Sequence, residues 1–170
     1  MERKIIILDT SVLCVWLRIP GKDTCGSGVD MMDYATVSSF IEEEIKARTT
    51  LVLPLAVMIE AGNHIAQSHG DKHVIATKLV QLIENAIDGK SPWALFTNQS
   101  PIWESEKLKT WITTWKDMVN TGHSFGDASI VEIANFYASI PNYKVSIYTG
   151  DKGLEAHSPH VPILKPRRRK

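Results

Sequence analysis

The stretch Ile5-Ile6-Ile7-Leu8-Asp9-Thr10-Ser11-Val12-Leu13 decides how the rest of the chain is read. Four consecutive apolar residues without polar alternation describe a strand buried on both faces, as in a parallel sheet. Asp9 and Thr10 stop the run, and Ser11 to Leu17 then reads as a short helix. Two later stretches repeat the pattern: Thr50-Leu-Val-Leu53, ended by Pro54, and Lys144-Val-Ser-Ile-Tyr-Thr149, ended by Gly150-Asp151. A weaker run, Val161-Pro-Ile-Leu164, suits an edge strand because proline cannot donate to a ladder. Helical spacing fills the intervals. Residues 30–48 carry Met31, Tyr34, Val37, Ile41 and Ile45 three and four apart. Further helices are predicted over 55–68 and 72–87, from Pro101 to about Asn120 with Ser100 as cap, and over 127–140, ended by Pro141. Glycine and proline make 18–30 a loop, while 91–99 is ambiguous. Strands alternating with helices predict an α/β fold with a parallel sheet.

The composition agrees with a folded chain. Of 170 residues, 44% are hydrophobic and 22% charged, which excludes disorder and allows one sizeable core. With no repeat and no convincing linker, residues 1–164 read as one domain and 165–170 as a basic tail. Those six residues hold five of the 19 basic groups, which leaves 14 against 19 acids in the body, a net of −5. A basic tail can hold nucleic acid through phosphates, or it is simply a solvated end. Cys14 and Cys25 are too few for a disulfide framework. No apolar run approaches the roughly 20 residues needed to span a bilayer. The opening apolar run is too short for a signal peptide. A cytoplasmic chain with no membrane partner is the expectation.

In open α/β sheets, ligands bind beyond the carboxyl ends of the strands. The residues expected there are mostly acids. Asp9 follows the first strand, Asp151 follows the third, Glu60 lies two turns into the helix after the second, and Asp127 opens a helix after Gly126. Each has an ordinary local reading: Asp9 and Asp127 as caps, Asp151 as a turn residue, Glu60 as solvated. Glu60 fits its local reading least, because Leu55, Ala56, Val57, Met58, Ile59, Ala61 and Ile65 surround it. A glutamate in such a helix needs a partner or a metal.

Four segments, in order, resemble the PIN-domain nucleases. They are Ile5 to Leu13 with Asp9-Thr10-Ser11, Leu53-Pro-Leu-Ala-Val-Met-Ile-Glu60, Phe125-Gly-Asp127-Ala-Ser-Ile-Val-Glu-Ile-Ala134, and Val145-Ser-Ile-Tyr-Thr149-Gly-Asp151-Lys-Gly-Leu154. The resemblance spans nearly the whole chain apart from 18–30, part of 90–122 and the tail. It implies a three-layer fold, a central, mostly parallel sheet of four to five strands flanked by helices. It also implies one site built from Asp9, Glu60, Asp127 and Asp151. Clustered carboxylates repel unless protonated or neutralised by a cation. Their hard oxygens suit Mg²⁺ or Mn²⁺.

The implied chemistry is hydrolysis of an RNA phosphodiester by a metal-activated water, without a protein nucleophile. Asp9 and Asp127 would be direct ligands, Asp151 would bind the same or a second metal, and Glu60 would orient a water or support that second metal. Thr10, Ser11 and Thr149 would hold carboxylates or a phosphate oxygen, Lys152 would touch phosphate and Asn63 would help place substrate. Ser11 and Thr149 read equally well as a cap and a strand-end residue, and Lys152 and Asn63 as solvated groups. Likeness to VapC-type toxins adds a cognate antitoxin and a homodimer to RNA as expected partners. Other readings stay open: an idle PIN-fold module binding RNA or protein, and a structure-selective DNA nuclease. Removing one acid from a repulsive cluster is expected to cost little stability, so Asp9→Asn is expected to stop cleavage in a near-intact fold.

Competing motifs are weak. His64, His69 and His73 lack the spacing of a zinc site. There is no Gly-x-Ser-x-Gly elbow, phosphate-binding loop or dinucleotide fingerprint. Ser11 stands where a haloacid-dehalogenase-type phosphatase has its second aspartate. Trp103, Trp111 and Trp115 are expected on one helix as a core or partner-facing stripe rather than a base-stacking surface.

Overall fold

A computed structural model describes residues 2–90 and 92–159. The element order is β1 (Arg3–Leu8), α1 (Thr10–Leu17), β2 (Thr24–Cys25), β3 (Met32–Asp33), α2 (Tyr34–Lys46), β4 (Thr50–Leu53), α3 (Leu55–Gln67), α4 (Lys72–Ile87), β5 (Trp93–Leu95), α5 (Ser105–Met118), α6 (Phe125–Ala138), β6 (Tyr143–Tyr148) and α7 (Lys152–Glu155). Short 3₁₀ segments cover Gly28–Asp30, Phe96–Trp103 and Val119–Thr121. The expected strand at 161–164 and the basic tail lie outside the described residues.

The α/β expectation holds: four parallel strands lie in the order β5-β4-β1-β6, flanked by helices in a three-layer α/β/α arrangement. Ile5 to Leu8 are all buried, as a strand covered on both faces requires. Each such side chain contributes about 1.5–3 kcal/mol by leaving water. Register aligns Leu8 with Tyr148 and Ile7 with Val52, so β1, β4 and β6 end along one edge. From β1 the chain steps outward to β4 and β5, then crosses back to place β6 on the other side of β1. That reversal opens a crevice between β1 and β6 at their carboxyl ends. α1 packs on α2 and α3, and α3 meets α4, while α6 lies against β6 and β1 with α5 outside it.

Several boundaries differ from the sequence reading, each for a local reason. The loop 18–30 is not featureless: Thr24–Cys25 pairs antiparallel with Met32–Asp33. That pairing takes Met32 out of the expected helix. α2 therefore starts at Tyr34, capped by Asp33, whose carboxylate accepts the Thr36 N–H at 2.9 Å. Within α2, Val37 and Ile41 are buried whereas Ile45 is exposed. The ambiguous stretch after Lys90 supplies β5, whose three residues are too few to show a period. Pro101 does not open an α-helix. It sits inside the 3₁₀ segment Phe96–Trp103, and α5 begins at Ser105. Trp103 is consequently off that helix. Trp111 is buried, its indole N–H donating to the Ile102 carbonyl at 3.0 Å. Among the described residues, no helix is long and apolar enough to cross a membrane.

Candidate functional site

Beyond the carboxyl ends of β1 and β6 lies an open cleft of about 660 Å³. Asp9, Glu60, Asp127 and Asp151 all line it, although 142 residues separate the first from the last. Each carboxylate is set by the element that carries it. Asp9 ends β1 and caps α1. Its Oδ1 accepts the Thr10 N–H at 2.6 Å, and its Oδ2 accepts the Ser11 hydroxyl at 2.6 Å and the Thr149 hydroxyl at 2.7 Å. Thr149 and Ser11 in turn accept the N–H groups of Asp151 and Gly150 at 2.9 and 3.1 Å. Asp9 thus joins β1, α1 and the turn after β6 into one hydrogen-bonded unit.

Glu60 reaches the cleft from α3, its Oε2 accepting the Thr10 hydroxyl at 2.7 Å. Its Oε1 lies against Gly126 at the start of α6, where an added Cβ would come within 2.8 Å. Asp127 is the third residue of α6, not its cap. Ser124 caps that helix, and the two form a reciprocal box, with the Asp127 carboxylate accepting the Ser124 N–H at 2.7 Å and the Ser124 hydroxyl accepting the Asp127 N–H at 3.0 Å. Asp151 caps the single turn of α7 through the Gly153 and Leu154 N–H groups at 2.7 and 3.3 Å. Glu60, Asp127 and Asp151 therefore each give one oxygen to the fold. Their other oxygens accept no hydrogen bond among the described residues.

The rest of the wall was not legible as a site. Lys22, Thr24, Cys25 and Ser27 come from the hairpin segment read as a loop, and Cys14 comes from α1. Gly150 lets the turn after β6 approach this hairpin, because a Cβ there would stand 2.4 Å from the Gly26 nitrogen. Asn63 is exposed and does not line the cleft. His64, four residues after Glu60 and on its helical face, does. Lys152 is exposed at the rim and pairs with Glu155 at 3.0 Å and Asp30 at 3.4 Å. The hydrogen bond to Glu155 is the main cause that raises its pKa. Burial pushes the Cys14 thiol up to about 11; Lys22 opposes this, and Asp9 and Glu60 reinforce it. Cys25 is also raised, by burial and then by Asp9. His123 is buried: its Nδ1 is 2.9 Å from the Thr121 hydroxyl and its Nε2 lacks a hydrogen-bond partner among the described residues.

The donor set is a hard one, since the acids and the hydroxyls around them offer only oxygen. Among the described residues, no three acidic, histidine or cysteine side chains converge enough to hold one ion between them. That spacing does not suit a metal that needs a closed protein cage, such as structural zinc. An ion held here would take one or two carboxylates and complete its coordination with water or substrate oxygens, as Mg²⁺ does. No protein-family model, no curated protein and no solved structure matches this chain.

Proposed function

We propose that the chain is a metal-dependent endoribonuclease of the PIN type, acting at the cleft between β1 and β6. The observation that carries this reading is the meeting of four acids from four separate segments at the switch point of the sheet. Isolated caps and turn residues have no reason to share one cleft. The choice of RNA, and of a toxin held by a cognate antitoxin as the setting, rests on the likeness of the four motifs to PIN nucleases.

One or two of Asp9, Asp127 and Asp151, together with waters and substrate oxygens, would hold a divalent cation, Mg²⁺ or Mn²⁺, which when bound supplies positive charge at the phosphate and a more acidic water. Glu60, fixed by Thr10 through one oxygen, keeps the other to accept a proton from water. Lys22 gives the wall a cation for a substrate phosphate. The Thr149 and Ser11 hydroxyls hold Asp9 still, so the site is organised before substrate arrives.

The test is cleavage of a mixed RNA pool with Mg²⁺ or Mn²⁺, with single-stranded DNA alongside, by the parent chain and by Asp127→Asn. Metal-dependent cleavage that spares DNA and is lost in the variant supports the reading. Cleavage of DNA would make the chain a DNA nuclease. A second reading, a binding module without turnover, is favoured by one observation: Asp127 and Asp151 each already serve as a helix-end acceptor through one oxygen. RNA retained without cleavage under either metal would select it.

A further inference from the structure

At the other end of α1 from the acids lies a second cavity, of about 330 Å³, in the small-molecule range. It is lined by Trp16, Arg18, Tyr34, Lys78, Asn85 and Trp93, among others, and by no carboxylate. Trp16 and Trp93 form one wall, their ring centroids 5.3 Å apart and 34° from parallel. Both line the cavity and are only half-buried, so part of each side chain stays accessible. Arg18 and Tyr34 form another, with the guanidinium 4.4 Å from the ring centroid. The chain bends to present this arginine: Arg18 ends α1 at φ 58°, a left-handed position that usually takes glycine. Lys78 and Asn85 come from α4, seven residues apart and so on one helical face. Neither Arg18 nor Lys78 forms an ion pair among the described residues.

We infer that this cavity binds a nucleoside monophosphate unit. Flat apolar walls take a base by stacking, which tolerates any base. Two unpaired cations with no acid beside them take a phosphate dianion, the arginine through its planar fork. Asn85 offers a donor and an acceptor to the base edge. The same unit is available as a free nucleotide or as one residue of an RNA chain. The site stands apart from the acid cleft and does not depend on the nuclease reading.

Titration calorimetry on the full chain with 5′-AMP tests it, with adenosine, inorganic phosphate and a short oligoadenylate as parallel probes in the absence of divalent metal. The expected result is saturable AMP binding at least tenfold tighter than adenosine or phosphate alone. Lys78→Ala, a helix-favouring change at an exposed position, should weaken it about tenfold or more, as should Arg18→Lys, which keeps the charge but loses the fork. Glu60→Gln should leave AMP binding unchanged, which separates this site from the acid cleft. Tighter binding of the oligoadenylate than of AMP assigns the site to RNA, and equal or weaker binding assigns it to free nucleotide. AMP binding no tighter than phosphate, or unaltered by Lys78→Ala, overturns the inference.

Discussion

Asp9 shows why a residue read as a ligand from sequence also needs a structural account. It is 7% exposed and its carboxylate collects two hydroxyls and two backbone N–H groups. The expectation that Asp9→Asn leaves the fold near intact is therefore revised. The new amide would point a donor at groups that now donate to it. Leaving buried polar groups mismatched costs about 1–3 kcal/mol, which a urea midpoint would read directly. Loss of cleavage in that variant would mix chemistry with stability, so Asp127→Asn and Glu60→Gln are the cleaner probes. Glu44 illustrates the opposite case, an acid with a purely structural place. Burial raises its pKa, but hydrogen bonds from Lys4 and Thr49 outweigh burial and the net shift is downward from 4.5. A carboxylate with a depressed folded pKa stabilises above its unfolded value and loses that contribution as pH falls through the folded value. Glu44→Gln should thus be less stable than the parent at pH 7, with the difference shrinking as pH drops below about 4.5. Equal differences at pH 7 and pH 3 in denaturant titrations would contradict this.

At the scale of elements, two glycines separate site effects from fold effects. Gly126→Ala places a Cβ 2.8 Å from Glu60 Oε1, the far end of a flexible side chain. Alanine suits a helix better than glycine by up to about 1 kcal/mol, so stability should hardly change. The displaced carboxylate should instead lower cleavage on the order of tenfold to a hundredfold. Gly150→Ala places its Cβ against the Gly26 nitrogen and Cys25, backbone that cannot yield without moving the hairpin. That variant should lose about 1–3 kcal/mol by overpacking, seen as a lower melting temperature. The sequence made the Leu55–Gln67 and Lys72–Ile87 helices and the long central strands readable, because their apolar spacing is sustained over several turns or residues. It did not reveal β5 or the hairpin of β2 and β3. Strands of two and three residues carry no period, and tertiary pairing decides them. The start of α6 lay between these cases. Ser124-Phe-Gly-Asp127 is visibly a helix start, but which of two side chains is the cap is settled only by the reciprocal hydrogen bonds.

At the scale of the molecule, the sheet order turns four weak sequence signals into one place. Asp9 and Asp151 could be assigned to strand ends from local patterns, but only the reversal of direction at β1 makes those ends neighbours. Glu60 and Asp127 join them because α3 and α6 meet across the same edge. Local pattern could not supply the cleft's other wall, since Lys22 and Cys25 belong to a segment whose two-residue strands carry no period. If these acids share a divalent cation, binding favours the folded chain and must raise its stability. At a free concentration of 100 times the dissociation constant the gain is about 2.7 kcal/mol. For a chain of 170 residues this corresponds to a rise of roughly 5–10 °C in melting temperature. Mn²⁺ should produce that rise in the parent, and most of it should vanish in Asp127→Asn, while Lys78→Ala, which alters the other cavity, should respond as the parent does. A parent chain whose melting temperature ignores millimolar Mn²⁺ and Mg²⁺ would leave the four acids with only their local hydrogen-bonding roles at a shared edge, and the nuclease proposal would lose its metal.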